Sequence, residues 1–143
     1  MINYKKCLFL LLCFPLIAFG GEQNNQLDPT THQIYKANAY AHKGQYTQAL
    51  ETLNQAIAAD SSSAHAFKVR GHVYVAMGDL QHALADLSKV VELAPNSANA
   101  YVDRSIVCHK LGKRTEALKD IKRALELAPD STFAQGVRDK LVE

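Results

Sequence analysis

Glycine stands at positions 44, 78 and 112, and alanine at 49, 83 and 117. Both sets repeat every 34 residues, and each alanine follows its glycine by five. That coincidence restricts the fold more than any other feature of the chain. A fixed period of this length makes each unit a short supersecondary module stacked on copies of itself. The units run Thr30–Ser63, Ala64–Ser97 and Ala98–Ser131. In each, glycine falls where a first helix has to end, because it accepts the left-handed backbone of a residue just past a helix at little cost. The alanine leaves room for two antiparallel helices to approach closely. Pro95 and Pro129 close the second and third units, with Ser61 at the same place in the first. Proline cannot continue a helix and biases the residue before it away from helical angles. Ser97 and Asp130 are the expected N-caps of the helices that follow.

Between these marks the apolar residues step with helical spacing. In the middle unit Phe67, Gly71, Tyr74 and Met77 make a stripe on the first helix, and Leu80, Ala83, Leu84, Leu87, Val90 and Val91 make one on the second. The third unit answers with Tyr101, Ser105, Cys108 and Leu111, then Ala117, Leu118, Ile121, Ala124 and Leu125. The first answers with Ala37, Tyr40, Ala49, Leu50, Leu53 and Ala56. Alanine and leucine abound and strand-type runs are missing, so the fold class is all-α. One unit cannot bury these faces alone; stacking three lets each cover the next. Each leucine or isoleucine buried in this way contributes about 1.5–3 kcal/mol. Beyond the third unit, Phe133, Val137 and Leu141 recur every fourth residue within Thr132–Glu143. We expect a capping helix there, with Val137 and Leu141 on the last unit and Arg138, Asp139, Lys140 and Glu143 mostly outward.

Gly71, Tyr74, Gly78, Ala83, Leu87 and Pro95 carry a pattern of small and aromatic residues at fixed offsets. In this the chain resembles a tetratricopeptide repeat protein, with three tandem repeats. The resemblance implies a right-handed superhelix of antiparallel helix pairs and a concave groove, lined by the first helix of each pair, that binds a peptide or protein. Carried over position by position, it gives Thr31, Ile34, Asn38, Ala41 and His42 from the first repeat. The second supplies His65, Lys68, His72, Val75 and Ala76. The third supplies Asn99, Val102, Ile106, His109 and Lys110, with Asp103 at the edge. The expected groove site is therefore Asn38, His42, His65, Lys68, His72, Asn99, Ile106, His109 and Lys110. One branch of the family clamps the C-terminal carboxylate of chaperones with basic and Asn side chains. Here Asn38 stands at one clamp place, while Ile34, Val69, Asn99 and Asp103 occupy the others, and Asp103 opposes a carboxylate.

Met1–Gly20 reads differently from all of this. Lys5 and Lys6 precede an apolar run, Cys7–Phe19, which ends on Ala18-Phe19-Gly20. Those are the charged, apolar and small-residue regions of a secretory signal peptide. The run is shorter than the ~20 apolar residues of a membrane span, and Pro15 interrupts it. We expect export to a periplasmic or secreted location, with an uncleaved membrane anchor as the alternative. Residues 21–29 read as a flexible leader. Removal of the first twenty residues takes Cys7 and Cys13 with it, leaves Cys108 without an internal disulfide partner, and leaves 14 basic and 14 acidic side chains. That balance argues against a nucleic-acid partner.

Four of the six histidines map to the groove, but no two lie three or four apart on one helix, so no ready metal site is expected. Cys108 and His109 are neighbours and point about 100° apart on a helix, which rules out a dyad. Lys110, Lys113, Arg114, Lys119, Lys122 and Arg123 crowd the third repeat as a solvated face. No phosphate loop, zinc spacing, nucleophile elbow or paired carboxylate is present. The expectation is a monomeric, non-enzymatic adaptor without cofactor, binding a protein or peptide. A self-associating structural module is the competing reading.

Overall fold

The computed structural model describes residues 28–142. The expected signal segment, the leader up to residue 27, and Glu143 lie outside the described residues. Within them the chain is seven helices and no strand: α1 (Pro29–His42), α2 (Tyr46–Ala59), α3 (Ala64–Met77), α4 (Leu80–Leu93), α5 (Ala98–Lys110), α6 (Arg114–Leu127) and α7 (Thr132–Val142). Each helix packs against its successor, and α1 against α3 and α5 against α7 as well. This is the all-α solenoid of paired helices, closed by a C-terminal helix.

Local chemistry sets the helix ends. Gly44, Gly78 and Gly112 adopt φ of +73°, +81° and +75°, a region where an L side chain is strained. Ser63, Ser97 and Ser131 accept from the amides of Ala66, Ala100 and Ala134 at 3.3, 3.4 and 3.2 Å. The cap of α7 is thus Ser131 and not Asp130. At the other end Pro29, read from sequence as the close of the leader, is the first residue of α1. Its fixed φ suits that place, and Asp28 caps the helix by accepting from the Thr31 amide at 2.9 Å.

The core forms three clusters, each crossing a repeat boundary. Ala66, Val69 and Val73 of α3 complete the cluster of Ile34, Ala37, Ala49, Leu53 and Ala56. Ala100 and Val107 of α5 complete that of Ala83, Leu87, Val90 and Val91. Ala134 and Leu141 of α7 complete that of Cys108, Ala117, Ile121 and Ala124. α3 and α5 therefore each bury two faces, one on their own partner and one on the preceding repeat, where the sequence stripe showed one. Met77 falls outside both faces and is exposed. Ala49, Ala83 and Ala117 are fully enclosed. At Gly71 an added Cβ would stand 3.1 Å from Leu87 Cγ, so α3 and α4 nearly touch backbone to side chain there.

Two buried ion pairs recur one period apart. Arg70 donates from Nε and Nη2 to Asp86 at 2.8 Å each. Arg104 donates in the same way to Asp120 at 2.8 and 2.7 Å. Each ties the first helix of a repeat to the second through a bidentate fork. Arg70 also donates to Asn54 of the preceding repeat at 2.7 Å. The first repeat has Lys36 and Thr52 at these places, and the Thr52 hydroxyl turns to the Gln48 carbonyl instead.

Candidate functional site

The first-of-pair helices α1, α3, α5 and α7 present one continuous face, and most of the sequence-expected residues lie on it. His42, His65, His72, Asn99, His109 and Lys110 are exposed, and Asn38, Lys68 and Ile106 are half-buried. Two expected lining residues are not on that face. Ile34 and Val102 are 2% and 1% exposed and belong to the core. Their positions point toward the neighbouring repeat, a direction that period alone does not separate from the groove. Val69, at a clamp place, is buried for the same reason.

The structure brings the expected residues together in two places. In the middle of the groove, Lys68 Nζ and His72 Nε2 from α3 converge on Asp103 Oδ2 of α5, at 3.9 and 3.5 Å. Asp103 was expected at the edge. Instead its side chain is 18% exposed, and Oδ2 is buried without a hydrogen bond. The centre of the groove thus holds a carboxylate with the Lys68 ammonium and the His72 ring beside it. At the C-terminal end, Ile106, His109 and Lys110 of α5 meet Phe133, Val137, Lys140 and Leu141 of α7 around a hollow of about 270 Å³. Asn38, His42, His65 and Asn99 make no side-chain hydrogen bond among the described residues.

Sequence reasoning took α7 as a cap only, with Val137 and Leu141 on the last repeat and Lys140 outward, and did not see that α7 also lines the groove; Lys140 is exposed as expected. Phe133 is 58% exposed. The missed signal was one further step of the period: Thr132 falls 34 residues after Ala98, so α7 repeats the role of α5 and its groove face follows.

Elsewhere the surface is plain. Lys113, Arg114, Lys119 and Lys122 of the third repeat are exposed, and Arg123 pairs with Glu126 at 3.0 Å. Cys108 is buried, and that burial, followed by the Asp120 carboxylate, pushes its thiol up from its usual range. A thiol so placed is a packing element and not a nucleophile. Among the described residues no three His, Cys, Asp or Glu side chains form a group that could hold a metal, and no helix is long and apolar enough to cross a membrane.

Comparison with known proteins agrees with this geometry. Models described as TPR repeat and tetratricopeptide repeat match residues 37–78 and 68–132. The chain carries tetratricopeptide repeats. The first TPR of Spaghetti (RPAP3) bound to the HSP90 peptide SRMEEVD is similar at 26% identity and a TM-score of 0.74, over 79% of this chain and 90% of that one. The Arabidopsis OM64 TPR domain is similar at 23% identity and 0.71, over 78% and 93%. The Sgt2 TPR domain from Aspergillus fumigatus is similar at 14% and 0.75, over 81% and 78%. The last two likenesses speak to fold alone. No curated protein matches the chain by sequence. Tetratricopeptide repeats are in general a non-catalytic, protein-interaction fold.

Proposed function

We propose that this protein is an adaptor that holds an extended protein or peptide segment along the groove face of α1, α3, α5 and α7. The observation that carries the reading is where the polar side chains lie. α3 and α5 are covered by neighbouring helices on their other faces, and α1 and α7 on the sides that meet the repeats. On the groove side they keep exposed imidazoles, amides and lysines that no packing requirement explains. A mixed polar face over short apolar patches suits a segment held by hydrogen bonds and charge contacts. The RPAP3 repeat, similar to this one, is bound to a peptide, which supports the reading. Its chaperone ligand does not transfer. Ile34 and Val69 stand buried at clamp places, and Asp103 puts a carboxylate where a clamp needs a cation.

The adaptor works outside the cytoplasm, delivered by a cleaved Met1–Gly20 segment. Lys5 and Lys6 ahead of the apolar run Cys7–Phe19 support this part of the reading. Fractionation with N-terminal sequencing tests it. A soluble mature chain beginning near Gly21 is expected; a membrane-bound chain beginning at Met1 would overturn it.

Affinity capture from that compartment, followed by binding of the captured partner's segments, tests the groove. The double variant Lys68→Glu/His72→Ala should reduce binding at least about tenfold, since it removes the ammonium and the ring beside Asp103 and leaves two facing carboxylates. Unchanged binding with intact helicity would refute the groove reading. A mass that rises with concentration would favour self-association.

A further inference from the structure

We propose that the seam between α5 and α7 is the anchoring end of the groove, and that it takes a large apolar side chain flanked by carboxylates from the interior of an extended segment. The inference rests on the groove reading above and names the chemistry of the ligand.

Three observations carry it. The hollow of about 270 Å³ lies below the ~300–1,000 Å³ typical of small-molecule sites. It fits one side chain, not a cofactor. Its apolar floor includes Ile106, Val137 and the face of Phe133, an aromatic ring left 58% in water. An exposed aromatic beside a half-buried isoleucine is the surface that a partner side chain covers most favourably.

Next comes the rim. His109, Lys110 and Lys140 stand around the floor, and no acidic side chain lines it. The hollow on the other side of α7 is a contrast. It is larger, about 480 Å³, but a carboxylate, Glu126, lines it together with Lys122 and Arg138, so its rim is of mixed charge.

The third observation is the state of the groove's centre. Lys68 and His72 stand 3.9 and 3.5 Å from the Asp103 carboxylate. At the α7 end Lys110 and Lys140 have no ion-pair partner among the described residues, whereas in the middle a carboxylate, Asp103, already stands beside the cation of Lys68. An acidic segment is thereby directed toward the seam, with its apolar residue on Phe133.

The test titrates the purified full chain against three labelled heptapeptides, blocked at both ends so that no terminal carboxylate takes part. The first has Leu between Glu and Asp, the second replaces that Leu with Ser, and the third replaces both acids with Lys. Fluorescence anisotropy reads the affinities. The first peptide should bind about tenfold or more tightly than either other, which corresponds to one well-seated anchor. Phe133→Ala should abolish the preference for Leu over Ser, and Lys110→Glu/Lys140→Glu the preference for acid over Lys. Both preferences should shrink differently with salt, the second steeply and the first little. Phe133 is exposed and the two lysines are at the surface, so circular dichroism should be unchanged in all three proteins. Binding of the first peptide that Lys68→Glu/His72→Ala weakens but Phe133→Ala and Lys110→Glu/Lys140→Glu leave untouched would overturn the anchor and retain the groove. Tighter binding of the lysine peptide would overturn the charge assignment.

Discussion

Arg104 and Asp120 allow the packing of a repeat to be tested quantitatively. The side chain of Asp120 is 7% exposed and that of Arg104 is 25% exposed, and two short hydrogen bonds join them. Breaking a buried pair costs about 3–5 kcal/mol because one charge is left without a partner. The two ways of breaking it are unequal. Without Asp120, the guanidinium can swing along its open quarter into water. Without Arg104, the carboxylate sits on a short stem in a nearly closed place. Arg104→Met is therefore expected to cost about 3–4 kcal/mol and Asp120→Leu about 1.5–2.5 kcal/mol, the second discounted for solvent reaching the arginine. The double variant should recover most of the loss, because a buried pair replaced by apolar groups is often neutral. A hollow beside Arg104, Ser88 and Cys108 gives the new leucine room. Urea unfolding at neutral pH, followed by far-ultraviolet circular dichroism, measures all four proteins and closes the cycle. A native domain has only about 5–15 kcal/mol in hand, so these shifts are large. A coupling below about 0.5 kcal/mol would place the pair with exposed salt bridges and refute the reasoning. So would Asp120→Leu costing more than Arg104→Met.

Gly71→Ala is expected to stabilise the protein by up to about 1 kcal/mol, the helix-propensity gain. The added methyl would meet Leu87, but Ala37 already stands opposite Leu53 at the same place one period earlier with both buried; a lowered melting temperature would show that the middle repeat is packed more tightly than the first. Acid sensitivity gives a further test at Asp79, whose carboxyl is held below its ordinary 3.8 by the His82 backbone amide and then by the His82 side chain. A lowered folded value means that the cap's contribution is complete above the unfolded value and is lost as pH falls through the folded one. Asp79→Asn keeps an acceptor that does not titrate, so its urea midpoint should fall less than that of wild type between about pH 4.5 and 2.5; an equal fall would count against the cap.

What was legible in the sequence divides along physical lines. Glycine, alanine and proline positions were readable because each answers to a local rule of backbone or contact that no distant residue can override. The helix pairs and their ends followed. The serine caps recur at 63, 97 and 131, yet Asp130 looked as good a cap as Ser131 because both residue types serve. Only the backbone trace decides which side chain reaches the Ala134 amide. Arginine at 70 and 104 and aspartate at 86 and 120 also recur by period. Charged residues on a helix nonetheless read as solvated until the partner sixteen residues away is brought alongside. Ile34 and Val102 failed as groove residues because a first-of-pair helix meets another repeat as well as its own partner, and one periodicity cannot say which of them an apolar side chain meets.

The same period also separates what packing fixes from what it leaves free. At the places of the enclosed alanines and turning glycines, all three repeats agree. On the groove face they do not. The series one period apart runs Thr31, His65, Asn99 and Phe133, and beside it Asn38, His72, Ile106 and Lys140. Stacked repeats need like interfaces, so uniformity inside follows from the core; nothing in the core requires the groove to vary. Along that face the chemistry passes from a hydroxyl and an amide on α1 to an aromatic ring and an ammonium on α7. A ligand lying along it meets a different chemistry at each end, and only a segment with matching polarity satisfies both. The groove is accordingly directional, and reversing the order of an acidic, apolar-anchored segment should weaken its binding even though composition is unchanged.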